Sequence, residues 1–282
     1  MFGPTTIVGR RLQRSVGNVS RCYVNFAALS FELGDLETAS RVRLEGIAHA
    51  QRSGNGQAVR WLRAEIAIDS FAAGDWDEVL GLGETLLARS DGDDVRHYLD
   101  APLRLQRAFV AALRDRRLLV EDVDAALELG RQAGDPQLTW PTLTDASLVM
   151  ATLGRMVEAA SLLDEALAAR SASGSAYVIN SRWSMVGALV WCLLDRGAVS
   201  NVLLAGDQTR WASAAGLVAR GDIVAAADLL DRIGTHADAA CARVVAARAL
   251  ASEDPQQAAI QLELASAFLP RRRRHGCPRG AR

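Results

Sequence analysis

Helix-breaking signals recur along this chain about every 20 residues, and that spacing restricts its fold more than any other feature. One series is Gly34-Asp35, Gly74-Asp75, Arg114-Asp115 and Gly154-Arg155, each 40 residues after the last, continued by Asp195-Arg196-Gly197. A second series, Gly17-Asn18, Gly54-Asn55, Gly92-Asp93, Gly134-Asp135 and Gly174-Ser175, falls between its members. The stretch from Gly134 to Gly174 shows what the punctuation encloses. Gly134 suits the left-handed conformation that ends a helix. Asp135 suits the N-cap of the next, and Pro136 the first helical position, where a missing N–H costs nothing. Leu143, Ala146, Ser147, Met150 and Leu153 then share one helical face. Beyond Gly154, a second face is built by Met156, Ala159, Ala160, Leu163, Ala166 and Leu167. A helix pair of this size cannot bury both faces alone, so it needs neighbours like itself.

The pattern predicts an all-α chain, an α-solenoid of about six to seven antiparallel helix hairpins with a period near 40. The pairs are expected at 18–33 with 36–52, 57–73 with 76–90, 96–113 with 118–133, and 137–153 with 156–172. A fifth pair is expected at 176–195 with a short partner at 198–205. Two tighter pairs follow at 208–220 with 223–233 and 237–251 with 255–268. Residues 1–17 are expected to be the remnant of a preceding helix or a flexible start. Residues 18–268 form one repeat domain with a bend at 197–207, and 269–282 a disordered basic tail.

At its turns the chain resembles the tetratricopeptide repeat family, in which the two helices of a repeat are joined through Gly-Asp-aromatic/aliphatic. A small residue follows five positions after the glycine. Here that reads Gly34-Asp35-Leu36 with Ala39, Gly154-Arg155-Met156 with Ala159, and Gly221-Asp222-Ile223 with Ala226. Gly74-Asp75-Trp76 has the turn but carries Val79 at the small position. A small side chain lets two helix backbones approach closely there. The period near 40 exceeds the family's usual 34, and the third and fifth pairs lack the turn glycine, so HEAT-type repeats remain an alternative. Residues 211–251 further resemble the C-terminal end of helical-repeat arrays in actinobacterial signalling regulators, of the ATPase/adenylate-guanylate cyclase or LuxR type. That resemblance implies either a free-standing relic or a fragment of such a regulator, because no P-loop, cyclase domain or DNA-reading helix-turn-helix is found here.

Chemistry is excluded more readily than assigned. All 32 basic residues are arginine. A P-loop and a Schiff base both need a lysine, so neither can form. His49, His97, His236 and His275 stand in no metalloprotease or hydrolase motif, and the DGDD run at 91–94 lacks the spaced ligands of a calcium loop. No catalytic residue, metal site or cofactor is expected. Cys22, Cys192, Cys241 and Cys277 are far apart; the first three lie in apolar helical context and are expected to be buried thiols in a cytoplasmic protein. The longest apolar run, 185–194, is half what a bilayer crossing needs, roughly 20 residues.

The expected role is a noncatalytic interaction or sensor module that binds a protein segment, a peptide or a small effector. Trp61, Trp140 and Trp183 stand 13 to 14 residues before the turns at Gly74, Gly154 and Arg196. The resemblance puts such first-helix positions on a concave, ligand-binding face, and Arg21 and Arg104 with them. The plainer alternative makes the tryptophans inter-repeat core and the arginines ordinary solvated side chains. A separate alternative uses the tail: its six arginines, with no acid and no aromatic, would contact nucleic acid weakly and without regard to sequence.

Overall fold

The computed structural model describes residues 7–93, 97–173, 181–204 and 208–268, with side chains from residue 18 onward in the first helix and up to Ala88 in the fourth. The described residues are all-α. They form α1 (Ile7–Glu32), α2 (Leu36–Arg52), α3 (Gly56–Ala73), α4 (Trp76–Asp93), α5 (Asp100–Asp115), α6 (Val120–Gln132) and α7 (Pro136–Thr152). There follow α8 (Met156–Ser173), α9 (Ser181–Leu193), α10 (Asn201–Leu204), α11 (Arg210–Ala219), α12 (Ile223–Ile233), α13 (His236–Leu250) and α14 (Pro255–Phe268).

Local chemistry sets most of these boundaries. Asp35 caps α2 by accepting from the Thr38 N–H at 3.0 Å, and Asn55 caps α3 through the Ala58 N–H at 3.1 Å. Asp135 caps α7 through the Gln137 N–H at 2.9 Å, with Pro136 opening the helix. Each cap occupies one of the N-terminal amides that has no helical partner. Gly74 and Gly154 turn the chain with φ of +88° and +78°. In the third and fifth pairs, which lack that glycine, Arg116 and Asp195 take the left-handed conformation instead, both at φ +52°. Side chains disfavour that region, so surrounding packing must hold these two turns.

Helices consecutive in the chain pack as pairs, α1 with α2, α3 with α4, α5 with α6, α7 with α8, and α13 with α14. The positions that the turn motif reserves for small residues lie at these crossings: Ala39, Val79, Ala159 and Ala226 are all fully buried. The α7–α8 approach is close enough for the Ser147 hydroxyl to donate to the Ala159 carbonyl at 2.7 Å. The odd-numbered helices also touch one another in succession, from α1 to α3 and on to α11. They form an inner layer, and in α5, α7 and α13 the side chains are buried far more completely than in the partner helix; in α7 only Pro136, Gln137, Thr139, Asp145 and Thr152 are not fully buried.

The inner layer closes on itself. Helix α13 packs against both α3 and α9. The Trp211 indole of α11 stacks on Phe31 of α1, and the Phe268 ring of α14 meets Trp76 edge-on at 5.4 Å. Beneath these contacts one continuous apolar core runs from Phe31 to Ala246, with a smaller cluster of Ala64, Ala67, Leu86, Leu87, Leu99 and Leu103 between α3, α4 and α5.

Three expectations are corrected. The chain does not turn at Gly17-Asn18: α1 runs unbroken from Ile7 to Glu32, because one glycine costs a long helix only about 1 kcal/mol. Helix α4 likewise continues through Gly92 to Asp93. Cys22 is exposed on α1 rather than buried, whereas Cys192 and Cys241 are partly buried. The expected turn at Gly174-Ser175 and the basic tail lie outside the described residues, as does Cys277. No described helix is long and apolar enough to cross a membrane.

Candidate functional site

The inner layer borders a cavity of about 620 Å³, lined by side chains of α1, α2, α3, α5, α7 and α9. Its walls are mainly apolar, with Val24, Ala28 and Leu29 from α1, Ile68 from α3, Leu105 from α5 and Leu138 from α7. Four aromatic side chains stand among them, Phe31 of α1 included. Trp61 of α3 stacks on Tyr98 with ring centroids 5.6 Å apart and planes 16° from parallel, and His97 meets the same indole edge-on at 5.5 Å. Trp183 lines the same cavity from α9.

Each tryptophan is oriented by a carboxylate that also borders the cavity. The Trp61 Nε1–H donates to Glu65 Oε1 at 2.9 Å, one helical turn along α3. The Trp183 Nε1–H donates to Asp145 Oδ2 of α7 at 2.9 Å. Behind each carboxylate lies a buried arginine shared with a second acid. Arg43 donates from Nε to Glu65 at 3.0 Å and from Nη1 to both oxygens of Asp69 at 2.5 Å. Arg182 donates to both oxygens of Asp238 at 2.8 and 2.7 Å, and its Nη1 lies 3.6 Å from Asp145. The Arg182 guanidinium also sits over the Trp183 ring at 5.5 Å, so ring, acid and base form one unit.

One guanidinium between two carboxylates does not fully compensate their loss of water. Burial pushes Asp69 up to about 6 despite Arg43 beside it. Burial raises Glu65 in the same way, and it raises Asp145 against the opposing pull of Arg182. Tyr98 is pushed above the ordinary phenol range, first by burial and then by the Asp135 carboxylate that accepts its hydroxyl. Burial, with Asp238 nearby, pushes the Cys241 thiol up to about 12, which leaves it unreactive as a nucleophile at neutral pH.

Of the five residues singled out in the sequence, the structure brings two together. Trp61 of α3 and Trp183 of α9 both line the cavity. Trp140 is 3 % exposed and lies behind the wall, with the Arg170 guanidinium over its ring at 5.1 Å. Arg21 is exposed on α1. Arg104 pairs with Asp122 across α5 and α6 at 3.0 Å. Sequence reading missed Tyr98, Arg43, Glu65, Asp145 and Arg182. One signal was present: Trp61, Glu65 and Asp69 recur at four-residue steps and so share a face of α3, placing two acids in line with a candidate groove tryptophan.

Among the described residues no group of three histidines, cysteines or carboxylates is placed to hold a metal ion. Comparison with protein-family models, with curated proteins and with solved structures finds no match for this chain.

Proposed function

We propose that the chain is a noncatalytic sensor module, an α-solenoid of the tetratricopeptide-like kind, which binds a small effector in the cavity of its inner layer. The observation that carries the reading is the cavity itself. Its volume of about 620 Å³ falls within the range that holds small organic ligands, and its few polar groups converge among apolar and aromatic walls. A helical peptide, about 10 Å across with its side chains, does not fit in such a volume, so the effector is a small molecule rather than a protein segment.

The mechanism is positional. The cavity touches five inner helices, and beside it the Glu32 carboxylate of α1 accepts from the Ser181 N–H and hydroxyl at the start of α9. An effector that prefers one seating of α1 against α9 shifts the population toward that seating by its difference in affinity. The resemblance of residues 211–251 to repeat arrays of ATPase-type signalling regulators supports a place in such a regulator, where a changed seating passes to a neighbouring domain.

The test is a thermal-shift screen of soluble organic compounds against the parent and Ala28→Trp. Ala28 lines the cavity, and an indole there occupies much of it. The parent is expected to gain Tm with hits and to bind them in calorimetry, whereas Ala28→Trp is expected to melt near the parent and bind none. Hits that bind both proteins equally would remove the cavity from the argument.

A further inference from the structure

We propose that the cavity's ligand is an organic cation, a hydrophobic ammonium compound, held between the indoles of Trp61 and Trp183 and the carboxylates of Glu65 and Asp145. The inference rests on the cavity reading above and narrows it to one chemical class.

The first argument is charge. Glu65 and Asp145 border the cavity together with one guanidinium, Arg43, while Glu32, which also borders it, is held by Ser181. Directly behind them stand two more acids, Asp69 and Asp238, and one more base, Arg182. Four carboxylates, Glu65, Asp69, Asp145 and Asp238, therefore share two guanidinium groups among largely buried side chains. Both guanidinium groups are turned toward these acids and held there by short hydrogen bonds, so neither is offered to an incoming anion. A cation entering the cavity supplies the charge that the site lacks, and the low-dielectric surroundings strengthen that attraction. An anion meets the opposite field.

The second argument is independent of charge and comes from the rings. Trp61, Tyr98 and Trp183 reach the cavity from α3, from the turn before α5 and from α9. Tryptophan has the strongest ring quadrupole for a cation, and ammonium groups caged by several aromatic faces are its characteristic use. Both indole N–H groups are already committed to Glu65 and Asp145, so neither is offered to a ligand as a donor. Those two hydrogen bonds also place an acid beside each indole, so one cationic group can be met by ring and carboxylate together.

The experiment compares three probes of equal chain length by calorimetry and tryptophan fluorescence on the whole chain: octyltrimethylammonium, 1-octanol and octanoate. Octyltrimethylammonium is expected to bind about ten-fold more tightly than 1-octanol, with octanoate weakest. Glu65→Gln and Asp145→Asn are expected to narrow the gap between the cation and the alcohol. Equal binding of cation and alcohol, or a preference for octanoate, would overturn the cation assignment and leave the cavity reading standing. If none of the three binds, both fall. The ranking on the parent decides the matter even where a variant fails to fold.

Discussion

The Trp211 indole stacks on the ring of Phe31, 180 residues earlier in the chain, with centroids 5.6 Å apart and planes 28° from parallel. Its Nε1–H donates to the Phe31 carbonyl at 3.2 Å, one residue from Glu32 at the cavity. The contact joins the beginning and the last third of the array. It turns a row of helix pairs, each stabilised by its neighbours, into a ring of mutual support.

Removing that indole tests the closure. Trp211 is fully buried, so Trp211→Ala loses its transfer energy, its ring contact and a hydrogen bond, and leaves a void. The expected cost is about 3–5 kcal/mol in denaturant unfolding. Because the contact links distant repeats, the transition is also expected to broaden or split, as in arrays whose units unfold separately. A single sharp transition at the parent's midpoint would show that closure contributes nothing.

The turn glycines offer a graded comparison. Gly154 has a positive φ but open space around its α-carbon, so Gly154→Val carries the backbone penalty alone, about 1–2 kcal/mol. Gly74 has the same backbone constraint, and a side chain there also runs into the Phe268 ring, whose Cζ would stand 2.7 Å from the new Cβ. Gly74→Val is expected to melt below Gly154→Val, and both below the parent. The reverse order would mean that α14 yields freely at that contact.

Buried and exposed ion pairs should differ in what they contribute. Arg182→Met leaves Asp145 and Asp238 facing each other without their shared base, an expected loss of about 3–5 kcal/mol. Arg131 and Glu165 also form a close pair at 2.6 Å, yet their side chains are 48 % and 41 % exposed. Arg131→Ala is expected to cost less than about 1 kcal/mol. Urea titrations of the two variants settle the contrast.

Acid titration should stabilise part of this protein. The folded-state pKa of Asp69, about 6, stands above its ordinary value of 3.8, so between those pH values the folded chain holds a proton that the unfolded chain has released. This contribution is fully present below pH 3.8 and is lost as pH rises through 6, with a slope of at most about 1.4 kcal/mol per pH unit. Glu65, also raised by burial, acts in the same direction. Asp69→Asn is expected to remove the Asp69 share, so its advantage over the parent is greater at pH 7 than at pH 4.5. Parallel melting curves across that range would show that Arg43 fully compensates both acids.

Particular residues show how far a sequence of this kind can be read. The helix pairs after residue 208 begin and end within about two residues of where their apolar spacing puts them, because caps and turn glycines act on their own neighbours. Gly17 and Gly92 misled, since a glycine marks a helix end only when the following backbone needs a left-handed turn. At the site, the Trp61–Glu65–Asp69 face was visible as a four-residue repeat. Arg182, Asp145 and Asp238 were not, because their meeting depends on three helices arriving at one point.

The sequence by itself determined the all-α class, the pairing of successive helices and the small residues at their crossings. These follow from periodicity and local backbone preference, which reach only a few residues along the chain. The tertiary structure alone decided that the inner layer closes, that Trp61 and Trp183 line one cavity while Trp140 is buried behind its wall, and that four acids share two arginines there. Small rotations between successive pairs accumulate over the whole array, and their sum is set by packing at every interface together, not by any one stretch of sequence.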